Sequence, residues 1–219
     1  MEPLRINFGM RTPMADPPDL FHLDALLGAL KVKAVERESG QSVNPRDHHY
    51  DIPVARYTAA SGEWVFKASS FIVQRHFEPQ VWMQTGRLNT TTAAEHKASG
   101  WLNERGKKPN PAGGSYKSSI YHTMVSNCDL TAYCVGDRAG VEELLTLCEQ
   151  VGARRGVGFG LVKNITVECV AESDCAWYQR AMPMDAEEAF PDQDYAVATG
   201  ALQAPYWDRT RAGKILVPA

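Results

Sequence analysis

Residues 152–162 read GARRGVGFGLV, four glycines and two adjacent arginines within eleven positions. Glycine removes the Cβ that would keep a ligand off the backbone, and arginine presents a planar fork of donors matched to phosphate oxygens. The pair of features points to an anion: a nucleotide cofactor or a nucleic-acid backbone. The competing reading is a tight turn flanked by solvated arginines. A dinucleotide fingerprint requires a strand before its glycines and a helix after them, so that the pyrophosphate meets the helix N-terminus. The order here is helix, loop, strand, and the spacing Gly156-x-Gly158-x-Gly160 is not G-x-G-x-x-G. No Gly-Lys-Ser/Thr closes a P-loop either. A dinucleotide or NTP site in this loop is not expected on these grounds, and no cofactor is expected.

The histidines are the other residues with chemistry to offer. His48 and His49 lie in RDHHYD (46–51), where neighbours on an extended chain point to opposite sides and cannot easily share a metal. No H-E-x-x-H pair is present. His22 opens the first helical stretch, and His76, His96 and His122 stand alone in the sequence. Five cysteines (Cys128, Cys134, Cys148, Cys169, Cys175), odd in number and without a C-x-x-C pair, read as reduced and mostly buried thiols. No metal site is expected.

The elements that would carry these residues follow from periodicity. Leu4, Ile6, Phe8 and Met10 alternate with Arg5, Asn7, Gly9 and Arg11, the period of a half-buried strand. TPMADPPD (12–19) is a connection. Leu23, Leu26, Leu27 and Leu30 form the stripe of a helix that runs out before Ser39–Gly40. Residues 40–62 read as loop, and EWVFKASSFIVQ (63–74) as strand material with a break near Ala68–Ser70. Arg75–Asn127 shows little periodicity. LTAYCVG (130–136) is a strand; Asp137 caps a helix predicted to reach Val151, with Gly152 at its C′ position. Ile165, Val167 and Cys169 mark a last strand. The order βαββαβ, interrupted by an insertion at about 75–127, is that of an α+β, ferredoxin-like (RRM-like) fold. The tail from residue 172 onward, ending APYWDRTRAGKILVPA, lies outside that unit and is expected to pack back onto it.

Charge is unevenly spread over a chain of 219 residues with a net charge of −3. Lys97–Lys117 carries five cations against Glu104, a net of +4, whereas Glu172–Asp194 carries seven acids against Arg180, a net of −6. The first segment could meet phosphate and the second would repel it. A generally basic nucleic-acid coat is excluded. The N-terminus has no signal-peptide pattern and no run approaches the length of a membrane span, so a cytoplasmic protein without membrane contact is expected.

Five fragments in order, PLRINF (3–8), HLDALLGAL (22–30), GGSYKSSIY (113–121), YCVGD (133–137) and PYWDRTRAGKILVP (205–218), together with the glycine loop, resemble one family. It is the Cas-five-like (Csf) subunit of type IV CRISPR effector complexes, within the RAMP superfamily of RNA-binding proteins. The resemblance implies a single RAMP domain over 1–219, with a core of about 3–171, a basic thumb-like hairpin inserted at about 75–127 and a C-terminal extension over 172–219. It implies a non-catalytic subunit that holds the 5′ repeat-derived handle of the crRNA and caps a filament of Cas-seven-like backbone subunits. A large or small subunit of the complex is a further implied partner, and target DNA is reached only indirectly.

Carried over by position, Arg154, Arg155, Gly156, Gly158, Phe159 and Gly160 become the RNA-facing turn. Arg105, Lys107, Lys108, Tyr116 and Lys117 become backbone-contact and stacking residues of the thumb. Trp101, Tyr206, Trp207, Arg209 and Arg211 are lower-ranked additions, because cation tracks and aromatic rings are what recognise single-stranded RNA. The alternative is a RAMP-type, metal-independent endoribonuclease that processes repeat RNA, with His22 or His48/His49 as its acid or base.

Overall fold

The computed structural model describes residues 1–15, 20–44, 51–86, 90–100 and 119–219, which fall into two compact units. The larger comprises Met1–Glu78 and Ser126–Ala219; the smaller is Pro79–Val125.

The larger unit is built on β1 (Glu2–Met10), where the alternation of Leu4, Ile6 and Phe8 leaves all three with no exposed surface. A second short strand, β2 (Met14–Ala15), follows. α1 (Leu23–Ser39) then buries Leu23, Leu27 and Leu30. Gly40 ends it in the left-handed conformation, its N–H donating to Glu36 O at 2.9 Å. The stretch expected to be loop contains β3 (Arg56–Thr58), paired in antiparallel register with β4 (Trp64–Phe66). Three-residue strands carry too few alternating positions to show in a sequence. The anticipated break at 68–70 is real: the chain leaves β4 and enters a different sheet as β5 (Ile72–Arg75).

β8 (Cys128–Gly136) is followed by α3 (Arg138–Leu145), whose N-cap Asp137 accepts the Gly140 N–H at 3.0 Å. α3 stops at Leu145, well short of the predicted Val151. Thr146 Oγ1 turns back onto Glu143 O (2.6 Å), Cys148 N–H bonds Leu145 O, and Gln150 and Val151 already pair with Leu161 and Gly160. Cys148 and Val151 are buried as their periodicity required, but from a turn rather than a helix. β9 (Val162–Cys169) completes a four-stranded sheet of order β5-β8-β1-β9, with every neighbouring pair antiparallel.

One core joins Leu4, Ile6 and Phe8 to α1 and to Val141, Leu144 and Leu145 of α3, so both helices cover one face of the sheet. Each fully buried side chain of this size contributes about 1.5–3 kcal/mol. The opposite face carries Arg5, Asn7, Thr131 and Thr166, tied by Arg5–Glu168 (2.6 Å) and Thr131 Oγ1–Asn7 (3.0 Å). The fold class is therefore α+β, as expected. The C-terminal tail packs back as anticipated, through β10 (Tyr195–Gly200) and β11 (Gly213–Pro218). A second apolar cluster of Val65, Met182, Ala186 and Leu216 seats it.

The smaller unit contains β6 (Gln80–Gly86) and β7 (Ser119–Ser126), antiparallel from Gln80↔Val125 to Gly86↔Ser119, and α2 (Thr90–Ala98). Val81, Met83, Ile120 and Met124 are exposed on the hairpin.

Candidate functional site

The glycine loop joins the end of the α3 turn to β9, and the connection between β1 and β2 holds it in place. Arg11 N–H donates to Leu161 O at 2.7 Å, and Gly160 N–H donates to Pro13 O at 2.9 Å. Between them Thr12 Oγ1 accepts the Leu161 N–H (2.9 Å) and donates to Gly158 O (2.9 Å). From the other side Val151 N–H donates to Gly160 O (2.8 Å) and Gln150 Nε2 to Arg155 O (3.1 Å). Sequence reasoning treated residues 12–19 as a mere connection and missed Thr12; nothing in a threonine next to a proline signals a partner almost 150 residues away.

The glycines of the loop do different work. Gly160 is left-handed (φ 72°) and buried, and a Cβ on it would overlap the Val151 carbonyl oxygen. Gly152 (φ 84°) would place its Cβ 3.0 Å from Met14. Packing requires the glycine at 160, and at 152 the left-handed backbone does. Gly156 and Gly158 are different, because a Cβ on either would meet nothing within 4 Å. Only Gly158, at φ 92°, needs glycine for its backbone.

At the tip, Arg154 is itself left-handed (φ 58°, ψ 28°) and is followed by a right-handed 3-10 turn at Arg155–Val157. A side chain held in that region costs about 1–3 kcal/mol, a strain that clusters at functional sites. A left-handed residue followed by a right-handed one turns successive amide N–H groups to one side, the concavity that receives anions. Arg154, Arg155 and Gly156 are all exposed there, and Phe159 is half-buried beneath. Two exposed arginines stand beside the open backbone of Gly156 and Gly158 on a loop fixed at several points, an arrangement suited to a phosphate.

The remaining sequence candidates are placed differently. Arg105, Lys107, Lys108, Tyr116 and Lys117, with Trp101, His48 and His49, lie outside the described residues. Trp207, Arg209 and Arg211 are exposed. Tyr206 is not available as a stacking platform: its ring lies 4.3 Å from that of His22 at 9°, and its hydroxyl donates to Asp24 Oδ2 at 2.8 Å. His76 does not stand alone, since its Nε2 sits 3.1 Å from Asp129 Oδ2.

His22 belongs to a buried network that sequence reasoning did not find. Arg180, the single cation among seven acids, is wholly buried. Its guanidinium donates to Phe66 O (2.7 Å), Ala68 O (3.1 Å), Leu202 O (3.0 Å) and Tyr206 Oη (2.7 Å), and faces Asp24 Oδ2 at 3.4 Å. His22 Nε2 accepts the Ala181 N–H at 3.2 Å, leaving the proton of the neutral ring on Nδ1. That atom is buried and makes no hydrogen bond of good geometry. Burial, then the nearby Arg180 charge, hold the His22 pKa well below its usual value against a weaker opposing pull from the Leu20 backbone. This neutral, enclosed imidazole clasps the tail to α1.

Burial pushes the Cys134 thiol up to about 12 and the Cys148 thiol up to about 11, so both are protonated at neutral pH. Among the described residues, no three His, Cys, Asp or Glu side chains converge as a metal site, and no helix is long and apolar enough to cross a membrane.

No curated protein sequence matches the chain. The family model described as CRISPR type IV associated protein Csf3 matches residues 2–218, a span that takes in β1, the glycine loop and the clasped tail alike. The resemblance carried by scattered fragments thus extends over nearly the whole length, and the chain belongs to the Csf3 family of type IV CRISPR associated proteins.

Proposed function

We propose that this chain is a non-catalytic, crRNA-binding subunit of a type IV CRISPR ribonucleoprotein, which holds the 5′ repeat-derived handle and caps a filament of Cas-seven-like backbone subunits. The observation that carries this reading is the tip of the glycine loop, where Arg154 is held left-handed beside Arg155 and the space over Gly156 and Gly158 is empty. Open backbone beside two arginines suits a phosphate, and a single-stranded backbone supplies a row of them. The sheet order β5-β8-β1-β9, with a helix after the first and third of its strands in sequence, supports a ferredoxin-like RAMP core. The β6–β7 pair spans the inserted segment as a thumb-like hairpin would. A large or small subunit completes the partners, and target DNA is met only through the guide.

The non-catalytic part of the reading is supported by His22. A general acid or base must reach its substrate, and this ring is 2% exposed with its Nε2 occupied by Ala181 N–H.

The test is to co-express the tagged protein with its neighbouring genes and repeat array, purify it at moderate salt, and sequence the retained RNA. Guide-length RNAs with one shared 5′ repeat-derived end are expected; random fragments or no RNA would refute the proposal. Incubating the purified protein with repeat RNA in EDTA should give no defined cut. The double change Arg154→Ala and Arg155→Ala should weaken binding to all RNA sequences alike and lower the slope of log K against log salt by about 1–2, since each phosphate contact releases counterions. An unchanged slope would remove the loop from the interface.

A further inference from the structure

A cleft at the C-terminal tail is lined by none of the glycine-loop residues. β10 and β11 end with two glycines directly paired, Gly200↔Gly213, and a cleft of about 380 Å³ opens between this end of the hairpin and β4. Trp64, Leu202 and Ile215 give it an apolar wall, and exposed Arg211 and Lys214 stand in its lining. The cleft is held in shape by Gln203 Nε2, which donates to Trp64 O at 2.8 Å, and by Arg211 Nη1, which donates to Ala204 O at 2.9 Å. The Arg56 guanidinium rests 4.2 Å from the Trp64 ring centroid and fixes the indole.

The two glycines have separate reasons. At Gly200 a Cβ would come 2.7 Å from Ile215 Cδ1, so a larger residue there would have to displace the tip of that side chain. Gly213 has no such reason. Its backbone is not left-handed, and a Cβ on it would meet nothing within 4 Å. A glycine inside a strand weakens it by roughly 0.5–1 kcal/mol relative to alanine. Gly213 is one of the residues that line the cleft, and it adds no side chain to it.

We infer that this cleft binds a single nucleotide. The base lies against the Trp64–Ile215 wall and the phosphate is held by Lys214 and Arg211. The volume lies within the range of small-ligand pockets, and the lining matches a ligand with one flat apolar part and one anionic part. Glu63, also in the lining, repels an anion and so directs the phosphate to the cationic side. The same chemistry is presented by a free ribonucleotide and by a base splayed from a single-stranded RNA.

The experiment uses the full chain and measures binding of AMP, GMP, CMP and UMP by titration calorimetry, with ribose 5-phosphate as the base-free control. At least one monophosphate should bind saturably, and at least tenfold more tightly than ribose 5-phosphate. Gly213→Val adds a branched side chain to the cleft lining at a position where a Cβ meets no atom within 4 Å, so its melting temperature should be little changed while affinity falls at least tenfold. Lys214→Gln should lose affinity several-fold. Arg154→Ala/Arg155→Ala should leave monophosphate binding unaltered, which separates this site from the glycine loop. An oligoribonucleotide that displaces the monophosphate identifies the ligand as a nucleotide of RNA; failure to displace it identifies a free nucleotide. The inference is overturned if no monophosphate binds, if ribose 5-phosphate binds as well, or if Gly213→Val binds like the natural protein. It is also overturned if no nucleotide binds and Lys214 crosslinks to a protein subunit in the purified assembly.

Discussion

Gly160 and Gly156 sit four residues apart in one loop and should respond oppositely to the same substitution. An alanine at Gly160 must hold φ near 72°, which costs about 1–2 kcal/mol for a residue with a Cβ. Its Cβ would also overlap the Val151 carbonyl oxygen, a backbone atom that cannot rotate away. Relief requires moving the strand pair, which stretches Val151 N–H···Gly160 O (2.8 Å) and Gly160 N–H···Pro13 O (2.9 Å) at about 1 kcal/mol each. The sum is about 3–4 kcal/mol, or roughly 6–16 °C in melting temperature for a chain of this size. Gly156→Ala meets open space with an ordinary φ and should stay within about 0.5 kcal/mol of the natural protein. It should nevertheless weaken RNA binding, because the new methyl group stands where a phosphate would approach. Urea unfolding of both variants, followed by RNA titration of Gly156→Ala, checks the pair. If Gly160→Ala is as stable as the natural protein, the loop is not held against Val151. If Gly156→Ala binds RNA normally, the open tip is not where the backbone lies.

Two further outcomes concern the buried clasp. Arg180→Met leaves the Asp24 carboxylate and four carbonyls without their cation and should cost about 3–5 kcal/mol by urea unfolding. Tyr206→Phe, which keeps the ring on His22, should cost about 1–2 kcal/mol, and a loss below about 0.5 kcal/mol in both variants would contradict the network. His22 should make stability pH-dependent. Its folded pKa is depressed below 6.5, so the unfolded chain takes up the proton first. The stability is fully present above that value and is lost as the pH falls from it toward the folded pKa, by at most about 1.4 kcal/mol per pH unit. His22→Gln, compared with the natural protein from pH 7 to 5, should remove that part of the slope; identical slopes would show that the imidazole is not the group responsible.

The parts of the fold legible in the sequence were those whose periodicity reports a single buried face. β1 shows through Leu4, Ile6 and Phe8, α1 through Leu23, Leu27 and Leu30, and the break between β4 and β5 through a loss of alternation at Ala68–Ser70. The overlong α3 was an error of a different kind. Cys148 and Val151 do face the core, but periodicity reports burial and not hydrogen bonding, and the return of the chain to pair with Leu161 and Gly160 is a tertiary event. The tip of the loop was legible through its residue types. Its division into glycines needed for packing and glycines that leave open space was not, because that depends on Val151, Met14 and the absence of any neighbour at Gly156. Tyr206 was misjudged for the same reason: an aromatic beside arginines reads as a surface platform until Asp24, more than 180 residues earlier, is seen to hold its hydroxyl.

Arg180 also changes the electrostatic reading of the tail. In the sequence it offsets one of seven acids between Glu172 and Asp194. In the fold its charge turns inward and is matched by Asp24, so nothing of it reaches the surface. Glu172, Asp174, Glu187, Glu188, Asp192 and Asp194 are exposed, so the segment presents six negative charges to solvent with no cation of its own among them, and Asp185 is half-buried beside them. Repulsion from such a cluster extends over about one Debye length, about 8 Å at physiological salt. A phosphate backbone seated on Arg154 and Arg155 therefore has an attractive end and a face of the same unit that it must avoid. Neutralising Glu187 and Glu188 as Gln should raise the association rate of RNA at low salt and leave it unchanged at 0.5 M salt. A rate that rises equally at both salt concentrations would mean that these acids act by contact and not by field.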